Sequence, residues 1–182
     1  MQISIKSFIR ATVIAATLFG ANAILAGCAV TVPDGVRPVT DFDINRYLGT
    51  WYELARIDHK FEKDLTQVSA HYTMNADGGI TVLNRGFDSI KNEWREVEGT
   101  ARFLGAANVA ALKVSFFGPF YGGYNVVILD DDYQTALVIG ENKEYFWLLS
   151  RDKKMDKNRV RELLEKARGL GVDVNRIVLV AQ

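Results

Sequence analysis

The chain has 182 residues with 22 basic and 22 acidic side chains, so its formal charge is zero, and 48% of it is apolar. That balance gives a nucleic-acid partner no electrostatic footing, because a phosphate backbone is held by clustered lysine and arginine. The length suits one domain behind a leader, and a single cysteine excludes an intramolecular disulfide.

In chain order, the first ten residues carry Lys6 and Arg10 and no acid, and residues 11–25 are apolar or small apart from Thr12, Thr17, Gly20 and Asn22. A basic start, a short apolar run and small residues before a cut predict a secretory signal peptide over residues 1–27. The run falls short of the roughly 20 apolar residues that span a bilayer. Its loss leaves 20 basic side chains against the 22 acidic ones. A lone cysteine in an exported chain calls for a reason, since a free thiol is reactive in an oxidising compartment. Leu25-Ala26-Gly27-Cys28 resembles the lipobox of bacterial lipoproteins. The resemblance implies that Cys28 becomes the lipid-modified first residue of the mature protein. It also implies that Ala29, standing where Asp would retain it elsewhere, sorts the protein to the bacterial outer membrane. One acyl chain attaches only marginally, at about 0.8 kcal/mol per buried CH₂, whereas several hold firmly.

Residues 28–40 contain Pro33, Gly35 and Pro38 and predict an extended, lipidated tether ahead of one domain over 41–182. Residues 41–48 suit one helical turn ending at Gly49. Short strands follow over 51–57, 68–74, 80–87, 94–104, 110–117, 124–129, 135–140 and 145–150, with turn sequences such as Asn75-Ala76-Asp77-Gly78-Gly79 between them. Pro119 to Gly123 reads as an interruption before the sixth strand. Residues 156–168 place Val160, Leu163, Leu164 and Ala167 at helical spacing with charges between, and Gly169 and Gly171 end the helix. Residues 177–180 suit a last short strand. The fold class is all-β with one C-terminal α-helix. Eight up-and-down antiparallel strands fit a closed barrel, which leaves no exposed edge, and pattern alone also allows a sandwich.

Three segments narrow the choice. Gly49-Thr50-Trp51 opens the first strand, Asp130-Asp131-Asp132-Tyr133 lies between the sixth and seventh, and Arg151 follows the eighth. Together they resemble the lipocalin family, which has Gly-X-Trp, a Thr-Asp-Tyr-like turn and a late arginine at these places. The stretch from Lys113 to Asn125 is similar to the bacterial outer-membrane lipocalins, relatives of apolipoprotein D. The resemblance implies an eight-stranded lipocalin barrel. One segment departs from the pattern: Asp replaces Thr, and Tyr133 comes one residue late, which implies a turn longer by one.

The same resemblance gives Trp51 and Arg151 a structural role as the barrel plug, where a guanidinium over an indole gains about 0.5–2 kcal/mol. It matches Tyr72, Asn84 and Trp147 to ligand-binding positions, and strand alternation adds Val82, Leu112, Val114, Phe116, Tyr124 and Val126. Gly86 stands where one relative has a pocket carboxylate. A lining of this kind suits a fatty acid or lysophospholipid, bound for storage or transport. A structural lipoprotein whose barrel fills itself is the competing reading. Glu53 shares the parity of Trp51 and is expected inward near the closed end, where a carboxylate needs donors or a proton.

No catalytic residue is expected. His59 and His71 sit in no nucleophile motif, and no phosphate loop is present. A lipid-modifying enzyme using the same cup is the alternative class. Neither metal nor cofactor is called for: a loop histidine and an outward strand histidine make no site, and Asp130-Asp131-Asp132 lacks calcium-loop spacing. Phe117, Phe120 and Tyr121, in a segment bounded by glycine and proline, are expected to be exposed. They suit a homodimer contact and a cap over the barrel mouth equally well.

Overall fold

The computed structural model describes residues 29–182, so the expected signal segment 1–27 and Cys28 lie outside the described residues. A one-turn helix α1 (Ile44–Tyr47) precedes nine strands: β1 (Gly49–Ile57), β2 (Leu65–Met74), β3 (Ile80–Asp88), β4 (Glu93–Phe103), β5 (Ala111–Phe117), β6 (Phe120–Leu129), β7 (Thr135–Ile139), β8 (Phe146–Ser150) and β9 (Ile177–Leu179). Helix α2 (Lys157–Gly169) falls between β8 and β9. β2 to β8 pair antiparallel in sequence order, and β1 pairs with both β8 and β2. The ring is closed. This is a barrel rather than a sandwich, and β9 pairs with β1 over Ala55–Ile57, beyond the stretch of β1 that pairs with β2.

Alternation sorts the side chains into two apolar clusters. One fills the barrel and includes Trp51, Tyr72, Val82, Leu112, Val126 and Leu149. The other lies between the outer wall and α2, where Leu163 and Ala167 pack with Ala55, Ile57, Leu137 and Leu148. Asp156 starts α2 by accepting from the Asn158 and Arg159 amides.

Two segments differ from the sequence reading. The sixth strand begins at Phe120 instead of after Gly123, because Gly122 and Gly123 pair opposite Val114 and Lys113. A Cβ on Gly123 would lie 3.1 Å from the Glu141 Cα, so a glycine lets β6 pass close under the β7–β8 loop. The second half of the 28–40 tether is laid against the barrel. Val36 is buried in the outer cluster, and the Val39 amide donates to Val126 while its carbonyl accepts from Ala110.

Candidate functional site

One end of the barrel is shut by residues gathered from α1, β1 and the end of β8. Tyr47 packs with its ring centroid 4.7 Å from that of Trp51, and the indole N–H donates to the Tyr47 carbonyl at 2.8 Å. Arg151 covers the indole with its guanidinium carbon 4.0 Å from the ring centroid. The same guanidinium donates to the carbonyls of Thr50 at 2.7 Å, Arg46 at 2.9 Å and Leu48 at 2.9 Å. One fork of donors thus satisfies carbonyls that the end of α1 leaves open. Gly49, at φ +89°, supplies the left-handed step from α1 into β1.

In the turn after β6, Tyr133 takes φ +58°. Asp130 holds the loop by accepting from the Gln134 and Thr135 amides at 2.7 and 2.9 Å. The Tyr133 hydroxyl accepts from the Asp43 amide at 2.8 Å, which ties this turn to α1.

Above the plug the interior has two layers. In the lower one Tyr72, Val82, Leu112, Val126 and Leu149 are buried. Three phenols form a chain there, with the Tyr124 hydroxyl 2.7 Å from that of Tyr47 and 2.8 Å from that of Tyr72. Burial raises all three pKa values, that of Tyr72 to about 12, so the chain stays neutral. Higher up, Val114, Phe116 and Trp147 pack against the same cluster but are only partly buried. Gly99 makes room for Phe116: a Cβ there would lie 2.6 Å from a ring carbon. Asn84 keeps a buried Oδ1 that accepts no hydrogen bond. At Gly86 a Cβ would lie 3.1 Å from the Leu65 side chain, so Leu65 and Val68 crowd this position.

The mouth-side layer holds charges that alternation alone misplaces. Counting from Trp51 sends Arg56 outward. The β1–β8 register slips between Glu53 and Ala55, and that bulge turns Arg56 inward opposite Trp147. Arg56 is 3% exposed. It donates to Glu53 at 2.9 Å, to Asp58 at 2.8 Å and to the Glu62 carbonyl at 2.8 Å. Glu53, opposite Leu149 at the level of the lower layer, faces inward as expected, and its partner is Arg56, which is tied to the β1–β2 loop. The Trp147 indole N–H donates to the Glu62 carboxylate at 3.2 Å. A single guanidinium faces three carboxylates and cannot keep them all ionised. Burial, then the charge of Glu62, push Glu53 up to about 8 against the pull of Arg56. Burial raises Glu62 to about 7, opposed by the Trp147 N–H and Arg56. The sequence signal for this cluster is an arginine set inside Leu54-Ala55-Arg56-Ile57, an apolar strand end.

Neither histidine enters the interior. His59 stacks on Tyr145 at 4.1 Å with its Nε2 against the Glu144 carbonyl, and His71 meets Thr50 on the outer wall.

The Lipocalin-like domain family matches residues 42–182. The chain belongs to the lipocalin family. Outer membrane lipoprotein Blc of Vibrio cholerae is 48% identical over 162 residues, which cover 88% of this chain and 94% of that one. Temperature-induced lipocalin-1 of Arabidopsis thaliana is 34% identical over 148 residues, covering 76% and 78%. Insecticyanin of the tobacco hornworm Manduca sexta superposes with a TM-score of 0.66 at 21% identity, covering 84% of this chain and 86% of its own, a likeness of fold. As a lipocalin the chain is a member of a family of binding proteins for small hydrophobic ligands. Its kinship with outer-membrane lipoproteins places this lipocalin on a lipid anchor at the bacterial outer membrane.

Proposed function

We propose that this lipocalin is a non-enzymatic carrier or store for a single-chain amphiphile, a fatty acid or a lysophospholipid, held at the outer membrane by acyl chains on Cys28. The observation that carries the reading is the gradient inside the barrel. Apolar Val82, Leu112 and Val126 lie deep, the partly exposed Val114, Phe116 and Trp147 lie higher, and the polar groups of Arg56 and Glu62 lie towards the mouth. An acyl tail is favoured in the first two zones, at about 25 cal/mol per Å² of apolar surface removed from water. Its head group stays among the polar groups of the third. The unpartnered Asn84 Oδ1 offers one further acceptor on the way down. Partial exposure of inward-facing Phe116 and Trp147 speaks against a barrel filled to the top.

Trp147 reports on occupancy. A lysophospholipid series added to the delipidated protein should shift tryptophan emission saturably, and Trp147→Phe should abolish most of the shift. No saturable change at any acyl length would end the carrier reading. Steady hydrolysis of a lipid ester, lost in a single point variant, would replace it with an enzyme.

A further inference from the structure

Among the described residues, eight large apolar side chains are exposed, and six of them stand at one end of the barrel: Phe61, Ile90, Trp94, Phe117, Phe120 and Tyr121. They come from the β1–β2 loop, the β3–β4 turn and the β5–β6 hairpin, all at the mouth. Phe117 and Phe120, 75% and 78% exposed, face each other across the hairpin tip. The register slips between Val114 and Phe117, which sets the two opposite each other. Exposed Lys60, Lys63 and Lys91 flank the same loops, with exposed Asp58, Asp64 and Glu93 among them. Among the described residues, the loops at the plugged end carry no exposed large apolar side chain.

The path of the N-terminal segment picks out the same end. Thr40 bridges Val109 near the plug, and from there the chain runs back along the outer wall until Gly35 lies beside Lys143, in the β7–β8 loop at the mouth. Pro33 to Val36 then makes a turn and Val32 packs against the outer cluster, so four residues separate Cys28 from a segment still held on the wall, a reach of at most about 14 Å. A barrel standing plug-down on its membrane would stretch that reach along its full wall, since ten-residue strands run about 33 Å before tilt.

We infer that the barrel rests mouth-down on the bilayer that holds its anchor, with Phe61, Ile90, Trp94, Phe117, Phe120 and Tyr121 seated at the lipid interface. Aromatic rings are favoured at that depth. Lipid then passes between membrane and barrel without crossing water. This rests on the proposal that Cys28 carries the anchor, and the two can fail separately.

The test uses the full lipidated protein in vesicles of phosphatidylethanolamine and phosphatidylglycerol. Flotation with the vesicles reports the anchor. Nitroxide labels at Ile90→Cys and Phe120→Cys report the mouth, and labels at Ala106→Cys and Asp132→Cys report the plugged end. Mouth labels should collide severalfold more with oxygen than with a water-soluble nickel complex, and plug-end labels should show the reverse. Phe117→Ser with Phe120→Ser should return the Ile90→Cys label to water while flotation persists. A floating protein whose mouth labels are as wet as the plug-end labels overturns the inference. Mouth labels shielded from both reagents and dipolar-broadened by one another would mean that a second copy covers the aromatics, which overturns it too.

Discussion

The Arg151 guanidinium lies 4.0 Å above the indole of Trp51, joining the end of β8 to the start of β1. Both partners also bond to the backbone of α1, so one contact ties together the strands that close the ring and the helix beneath them. Trp51→Ala should therefore cost about 3–5 kcal/mol, the usual range for deleting a buried aromatic. Trp147→Ala should cost less, because Trp147 is only partly buried. Thermal midpoints of the two variants decide the order. Arg151→Lys should lower the midpoint almost as far as Arg151→Ala, since an ammonium cannot reproduce the fork over several carbonyls.

Tyr124→Phe is expected to destabilise by about 1–3 kcal/mol, because it leaves the Tyr47 and Tyr72 hydroxyls buried without each other's bridge. Tyr72→Phe removes only the end of the chain and should be milder, as Tyr124 keeps its bond to Tyr47. Urea midpoints measured at one pH separate the two. Equal losses would mean that water already serves these hydroxyls.

Stability should fall as pH rises from about 4.5 towards 8. The unfolded Glu53 and Glu62 carboxyls ionise near 4.5, whereas in the fold they hold protons up to about 8 and 7. Between these values the folded state binds more protons than the unfolded one, so each pH unit upward costs up to about 1.4 kcal/mol per group. Glu53→Gln still accepts from Arg56 and removes one of the titrations. Its stability profile should be flatter than the parent's and gain on it at alkaline pH. Parallel profiles would show that Glu53 is ionised in the fold across the whole range.

What the sequence made legible follows from period. Alternation in β3 and β5 and the helical spacing of Val160, Leu163, Leu164 and Ala167 are local properties, and the observed elements keep them. Alternation also puts Val82, Leu112 and Val126 inside. The polar layer was not legible, because a one-residue slip between Glu53 and Ala55 reverses every direction after it, and nothing in Tyr52-Glu53-Leu54-Ala55 marks a bulge. The tip of the β5–β6 hairpin failed likewise: Pro119 and two glycines read as a break where ladder pairing across the hairpin overrides weak strand propensity.

The last strand closes a seam that the ring leaves open, and this yields the sharpest prediction. β1 pairs with β2 only from Gly49 to Tyr52 and above that with β9 from Ala55 to Ile57. Val180 donates to the Leu54 carbonyl at 2.9 Å, and the Gln67 amide donates to the Ala181 carbonyl at 2.6 Å. Gln67 takes φ +51° within the irregular part of β2 that makes this bond. The Gln182 amide nitrogen donates to the carbonyls of Glu53 at 2.6 Å and Val68 at 2.8 Å, bridging the two strands. Truncation after Leu179 leaves these groups without partners beside the Arg56 cluster, at a cost of about 1–3 kcal/mol for each one kept from water. Gln182→Ala removes two of the bonds and should cost about 1–2 kcal/mol. Hydrogen exchange resolves where the damage falls. The Gln67 amide should exchange at least tenfold faster in the truncated chain, while Ala70 and Tyr72, in the part of β2 paired with β1, stay protected. Unchanged protection at Gln67 would mean that the seam is held by the barrel itself and not by the last strand.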